Sequence, residues 1–331
     1  MNKKSIRWQI PLLLALIVGT VYIIRDENSK PWQRNEGQVF GTTYHITYQS
    51  RDDLHEGIVR QLLEVDANLS MFNDTSLISR INRGEHPDIT GTMFEEVVRL
   101  ALKVSEDTDG AFDITVAPLV NAWGFGFKNG DQPTKPQVDS LLQHVGYKKI
   151  APTGTGSLDV EAGVMLDCSA IAKGYGCDVV ARYLKQHQVE NFMIEIGGEI
   201  VANGVNPNKK TWTVGIQKPT DTPTPPSTVE QTITLTGKAV ATSGNYRRFY
   251  YKDGKKYAHT IDPATGYPVE HNLLSATVIA DNCATADAYA TALMVMGVER
   301  AKALLARHKE LSAWLIYADH QGNYKTLHIN N

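Results

Sequence analysis

Three features of this chain predict an α+β fold in a single domain. Apolar residues recur at helical spacing through much of the first half. Short β-rich runs separated by turn signals fill the second half. No internal repeat and no linker-like boundary divides residues 36–331.

The N-terminus stands apart from that domain. Lys3, Lys4 and Arg7 precede an uncharged run from Ile10 to Ile24, a positive region followed by an apolar one. As a helix the run is ~22 Å long at ~1.5 Å per residue. That is short against a hydrocarbon core of ~30 Å, and a buried core helix is the alternative reading. No small-x-small cleavage site follows, and the first cysteine is Cys168. Residues 1–28 are therefore expected to form an uncleaved signal anchor. The positive-inside rule then puts the body on the periplasmic side of a bacterial inner membrane. Residues 29–35 are polar and read as a tether.

The elements follow in order. Val39 to Tyr48 alternates and is rich in β-formers, so it predicts a strand. Leu54 to Leu69 and Phe94 to Val104 repeat apolar residues as amphipathic helices do. Gln137 to Gly146 is a shorter helix stopped by glycine, and Ala170 to Leu184 another. Phe192 to Ile196 is a buried strand ending at Gly197-Gly198. Thr211 to Ile216 and Thr232 to Leu235 are strands around a Thr/Pro-rich loop tip at 218–227. Ala239 to Thr242, Phe249 to Tyr251, a run through His259, and Leu274 to Ala280 are further strands. Asp253-Gly254 marks a turn between two of them. Thr285 to Met296 is a helix, and Ala313 to Ala318 with Tyr324 to Ile329 a closing hairpin.

Composition narrows the function. Hydrophobic residues are 42% and charged residues 21%, ordinary for a globular protein. A net charge of −3 offers no broad basic surface for nucleic acid. Cys168, Cys177 and Cys283 have no metal-ligand spacing and read as small core residues.

The segment Leu166 to Tyr175 delivers Asp167 and Lys173 to a helix N-terminus, a place that suits an anionic ligand. Asp287 and Thr291 are spaced i, i+4 on a predicted helix. A carboxylate and a hydroxyl on one face are hard oxygen ligands of the kind Mg²⁺ takes; an acidic residue in a helix's first turn is the structural alternative. His259 precedes the tight turn Asp262 to Gly266 and is the natural general-base candidate, or else a packed residue. Thr242-Ser243-Gly244 offers hydroxyls and N–H groups at a strand end, or an ordinary turn. Asp113 reads as a helix N-cap. Trp123 to Phe127 walls a pocket or fills the core.

Taken in order, these segments resemble the ApbE family of FAD:protein FMN transferases. The matching stretches are Phe40-Gly41-Thr42, Ser79 to Asn82, Gly110 to Phe125, Asp167 to Tyr175, Ile196 to Glu199, Thr242 to Gly244, His259 to Pro268 and Ala286 to Thr291. The resemblance covers nearly everything after the N-terminal segment. It implies a T-fold-related domain that moves FMN from FAD to a Thr or Ser hydroxyl of an acceptor flavoprotein, releasing AMP. It implies Mg²⁺ held by the Ala170 carbonyl, Asp287 and Thr291, with Ala290 standing where some relatives carry a further Asp. It implies FAD contacts at Phe40, Phe72, Ala111, Phe112, Asp113, Asp167, Lys173 and Ile261. Phe40 replaces a common Met, and Phe72 replaces a common Tyr and so lacks its hydroxyl. His259 is the expected base. Family acceptors include membrane redox subunits such as those of sodium-pumping quinone reductases. The alternatives are a Mg²⁺-dependent FAD pyrophosphatase giving FMN and AMP, and a non-catalytic flavin-binding protein anchored to the membrane.

Overall fold

In the computed structural model the described residues are 11–20, 30–126, 132–217, 229–245, 249–252 and 255–330. Residues 11–20 form a helix, α1, whose Leu12, Leu13, Leu14, Leu16, Ile17 and Val18 are all exposed. Among the described residues no helix is long and apolar enough to cross a membrane. The flanking parts of the expected anchor, at 1–10 and 21–28, lie outside the described residues, as do the Thr/Pro-rich loop tip and the Asp253-Gly254 turn.

The first strand pair corrects two expectations. Trp32–Val39 is β1 and Thr42–Gln49 is β2, paired antiparallel with Val39 opposite Thr42. Residues 32–35, expected in a tether, are thus the edge of the sheet. The run from Val39 to Tyr48 is not one strand, because the chain reverses at Phe40 and Gly41. Both hold left-handed φ, 52° and 72°, as the tight hairpin turn that matches strand twist demands.

The helices follow their apolar spacing. α2 is His55–Leu69, α3 Leu77–Asn82, α4 Met93–Asp107, α5 Ala117–Ala122 and α6 Lys135–Leu142. Thr92 caps α4 by accepting the Glu95 N–H at 3.2 Å. α6 starts early because Thr134 and Gln137 form a capping box. It ends early because Gln143, His144 and Val145 bond three residues back, tightening the last turn before Gly146. The small ribbon β3 (Ile150–Pro152) and β4 (Leu158–Val160) then leads to α7, Ala172–Gln186.

The second half supplies β5 (Phe192–Ile196), β6 (Glu199–Asn203), β7 (Trp212–Gln217), β8 (Val229–Leu235), β9 (Lys238–Gly244), β10 (Phe249–Lys252), β11 (Lys255–Ala258) and β12 (Leu273–Ala280). α8 (Cys283–Arg307), β13 (Ser312–Ala318) and β14 (Tyr324–Ile329) complete the chain. α8 outruns its expected end at Met296. Gly297 breaks it with φ 71° and ψ 177°, and the helix then resumes. His271 Nε2 donates to the Met294 carbonyl that the break releases, at 2.7 Å.

An antiparallel sheet in the order β1-β2-β5-β6-β9-β12-β13-β14 forms the centre. This agrees with the α+β class. Alternation decides which element covers which face. Along β9, Ala239 and Ala241 join the clusters under the helices, while Val240 packs with Trp212, Ile216, Ile233 and Leu235 of the β7–β8 ribbon. The three cysteines are buried and free, Cys177 and Cys283 in helices as expected and Cys168 in the irregular segment before α7.

Candidate active site

The site begins with a close approach of two helices. At Gly174, in the first turn of α7, an added Cβ would lie 2.4 Å from the Cys283 carbonyl oxygen, so only glycine lets α7 touch the start of α8. The start of α8 is fixed from the same side. Asp178 of α7 accepts the N–H groups of Cys283 and Ala284, both at 2.8 Å. Burial pushes the Asp178 carboxyl up to about 6, with those two N–H groups pulling the other way.

This contact brings Asp287 to α7. The side chain is 2% exposed as a residue, and its Oδ2 accepts the Gly174 N–H at 3.1 Å. The Gly174 N–H is thereby directed at Asp287, not at the carbonyl four residues back. Among the described residues no hydrogen bond reaches the Ala170 carbonyl. Thr291, one turn beyond Asp287, places Oγ1 3.1 Å from Ser243 Oγ of β9. Thr242 points to the opposite face and bonds Thr277 of β12 at 2.8 Å, as strand alternation requires. Of the two hydroxyls considered together in the sequence, only Ser243 joins Thr291.

Lys173 lies between two carboxylates. Its Nζ is 3.3 Å from Glu199 Oε1 and 3.7 Å from Asp287 Oδ2. Burial works against the lysine charge, but Asp287 and Glu199 outweigh it and hold the ammonium above the ordinary lysine range. Burial raises the Glu199 and Asp287 carboxyls, and the attraction of Lys173 opposes it at both. Glu199 Oε2 is buried and makes no hydrogen bond among the described residues. Glu199 went without a role in the sequence. Its signals were its place at the end of the family-matching stretch Ile196 to Glu199 and a carboxylate in the otherwise apolar run Glu199-Ile200-Val201-Ala202.

Asp167 is set by its backbone. Its N–H donates to Ile114 O at 2.7 Å, and its Oδ1 accepts the Ser169 N–H at 2.7 Å. Burial raises its carboxyl. The Asn82 side chain holds the neighbouring Leu166 through both the N–H and the carbonyl, at 2.8 and 2.9 Å. Ala111 and Phe112 are buried, Phe112 within the main core. Asp113 is not a helix cap, since α5 starts after Val116. Its Oδ1 accepts from the Thr115 N–H and hydroxyl and its Oδ2 from the Tyr147 N–H, all between 2.7 and 2.8 Å.

The remaining residues lie around this centre. Phe40 packs over α7, where a Cβ at Gly176 would meet its ring at 2.7 Å. Ile261 is buried with Leu119, Trp123 and Val138. Trp123 is core, its Nε1 donating to the Gly266 carbonyl at 2.8 Å. His259 is half-buried, edge-on to Phe125 at 6.4 Å. His259 lies just past β11, not in the strand expected to run through it, and its neighbour Thr260 donates to Asn245 Oδ1 at 2.6 Å, which ties this segment to the end of β9 beyond Ser243. Phe72 is 69% exposed at the turn after α2.

The arrangement suits a hard divalent cation. Asp287 and Thr291 of α8 offer one carboxylate and one hydroxyl, the turn before α7 offers a carbonyl that no hydrogen bond reaches among the described residues, and Mg²⁺ takes few protein oxygens. Among the described residues no three His, Cys, Asp or Glu side chains gather as a cage. A set with a single carboxylate does not need one.

Comparisons with known proteins identify the family. A family model described as the ApbE family matches residues 40–315. The chain is 38% identical over 302 residues to an FAD:protein FMN transferase of Haemophilus influenzae, covering 86% of each chain. It is 34% identical over 324 residues to that of Escherichia coli, covering 92% of this chain and 91% of the relative. Among solved structures, the flavin transferase ApbE from Vibrio cholerae superposes with a TM-score of 0.81 at 34% identity, covering 91% of this chain and 97% of that one. The apo form of the Pseudomonas stutzeri flavinyl transferase ApbE gives the same score at 32% identity, covering 91% and 95%. The chain belongs to the ApbE family.

Proposed function

We propose that this chain is a Mg²⁺-dependent FAD:protein FMN transferase. The observation that carries the reading is the Ala170 carbonyl, left without a donor because Gly174 serves Asp287. The Ala170 carbonyl, the Asp287 carboxylate and the Thr291 hydroxyl would hold the metal. Bound there, Mg²⁺ would offset negative charge on the FAD pyrophosphate. Lys173 adds a fixed positive charge for a phosphate oxygen or a flavin carbonyl. Phe40, Phe72, Ala111, Phe112, Asp113, Asp167 and Ile261 would shape the FAD site. Phe112 and Asp113 serve it through the backbone they fix, since their side chains are engaged elsewhere.

In the reaction, an acceptor Thr or Ser hydroxyl oxygen bonds to the FMN-side phosphorus. The bond from that phosphorus to the bridging oxygen breaks, and AMP leaves with that oxygen. His259 accepts the hydroxyl proton. The acceptor is a flavoprotein, and a membrane redox subunit such as that of a sodium-pumping quinone reductase fits an anchored enzyme. Lys3, Lys4 and Arg7 before an apolar, exposed helix support anchoring of residues 1–28 in a bacterial inner membrane with the domain in the periplasm.

The test incubates the full-length protein with FAD, Mg²⁺ and an acceptor domain. The expected result is an acceptor heavier by the mass of one FMN with AMP released in equal amount. FMN and AMP with no adduct would replace this reading with hydrolysis, and neither product would leave flavin binding alone.

A further inference from the structure

Lys173 poses a problem for a cation site. An ammonium 3.7 Å from Asp287 Oδ2 is a resident counter-ion, and a metal at Asp287 must compete with it. Glu199 answers the problem. Its Oε1 is the nearer partner of the same ammonium, at 3.3 Å. Glu199 is 4% exposed, and among the described residues its second oxygen has no hydrogen-bond donor. A carboxylate so placed is costly to bury unless a cation matches it.

The local backbone holds the pair together. Glu199 follows Gly197-Gly198, and Gly197 has φ 63°. A Cβ on Gly197 would lie 3.3 Å from Lys173 Cδ, so the lysine stem runs along bare backbone toward Glu199. With both carboxylates ionised, the cluster of Lys173, Glu199 and Asp287 carries one excess negative charge. That charge is what an added cation completes.

We propose that Glu199 is a positioning residue that takes up the Lys173 charge and so leaves Asp287 available to a divalent cation. The proposal rests on Asp287 being a metal ligand. It makes Glu199 act on the metal through Lys173, with no direct bond to it.

Mn²⁺ is the probe, titrated into the full-length protein without FAD and followed by the electron paramagnetic resonance signal of the free ion. Glu199→Gln keeps the shape and removes the charge, which leaves Lys173 to Asp287 alone. Mn²⁺ binding should weaken about tenfold, the equivalent of about 1.4 kcal/mol. Lys173→Met removes the competitor and should bind Mn²⁺ at least as tightly as wild type. Glu199→Gln with Lys173→Met should return to within about threefold of wild type, because the two changes act through one ion pair. Glu199→Gln binding like wild type, or the double variant staying as weak as Glu199→Gln, would overturn the proposal. Weakened binding by Lys173→Met would also overturn it, and that variant decides the matter should Glu199→Gln not fold. Asp287→Asn separates the two layers. If it abolishes Mn²⁺ binding while Glu199→Gln changes nothing, only this inference fails. If it binds like wild type, the metal assignment fails and takes this inference with it.

Discussion

Replacing Gly174 by alanine sets helix propensity against tertiary contact. In an unconstrained helix the exchange stabilises by about 1 kcal/mol. Here the new Cβ would meet backbone on every near side: Cys283 O at 2.4 Å, Cys283 C at 2.7 Å and Ala284 N at 2.9 Å. Moving the first of these from 2.4 Å to the 3.4 Å of ordinary contact parts α7 from α8 by about 1 Å. Such overpacking costs about 1–3 kcal/mol. The same shift breaks the 3.1 Å bond from Gly174 N–H to Asp287, a bond to a charged acceptor worth about 1.5–3 kcal/mol. Net of the propensity gain, the variant should lose about 2–5 kcal/mol in urea unfolding. FMN transfer should fall about 100-fold, the usual cost of misplacing a reacting centre by an ångström. The assay is acceptor labelling at saturating FAD, beside the unfolding curve. An alanine variant as stable as wild type and equally active would refute the helix contact and the site built on it.

Three further outcomes are expected. Asp287→Asn should lower Mg²⁺-dependent AMP release about 10²–10³-fold, and wild-type release would refute its role. His259→Ala at saturating acceptor should slow labelling about 10²–10⁴-fold with FAD affinity unchanged in a fluorescence titration, and unchanged labelling would remove it as the base. Asp178 carries a raised carboxyl, so the folded protein binds its proton more tightly than the unfolded chain. Its contribution to stability is present below the ordinary value of 3.8 and is lost as pH rises through about 6. The loss is at most about 3 kcal/mol by linkage. Urea unfolding at pH 4 and pH 7 should therefore show wild type losing ground to Asp178→Asn as pH rises; a constant difference would count against the burial of that charge.

Where local pattern decides structure, the chain was legible. Phe192 to Ile196 is a strand to the residue, because a short apolar β-rich run bounded by Gly-Gly has few other uses. The closing hairpin and the existence of the long helices were equally plain, though α8 continues past the expected end at Met296. The turn at Phe40-Gly41 was hidden, because a bulky residue at positive φ leaves no compositional trace and alternation continues on both sides of it. α3 and α5 are each 6 residues long, too short for a helical period to repeat. In the site, the i, i+4 spacing made Asp287 and Thr291 visible as a pair. What escaped were the partners: Glu199 meets Lys173 only once β6 packs on α7, and Asp113 finds Tyr147 34 residues along the chain, a separation that no local rule describes. Local chemistry can nominate a side chain, but its partner belongs to the topology.

Among the described residues the ribbon of β10 and β11 pairs only with itself. Two strands alone are marginal in water, and this pair leans on Trp123 stacking with Tyr257 at 5.8 Å and on the Thr260 bond to Asn245. It leads directly into His259, whereas Asp287 and Thr291 belong to α8 and Ala170 to the turn that opens α7. The two sides of the reaction are thus built to different tolerances. Under the proposed function, the donor side is cast in the core and the side that receives another protein is a detachable module. Acceptor preference can then drift by remodelling one ribbon, while the machinery that grips the donor stays as it was.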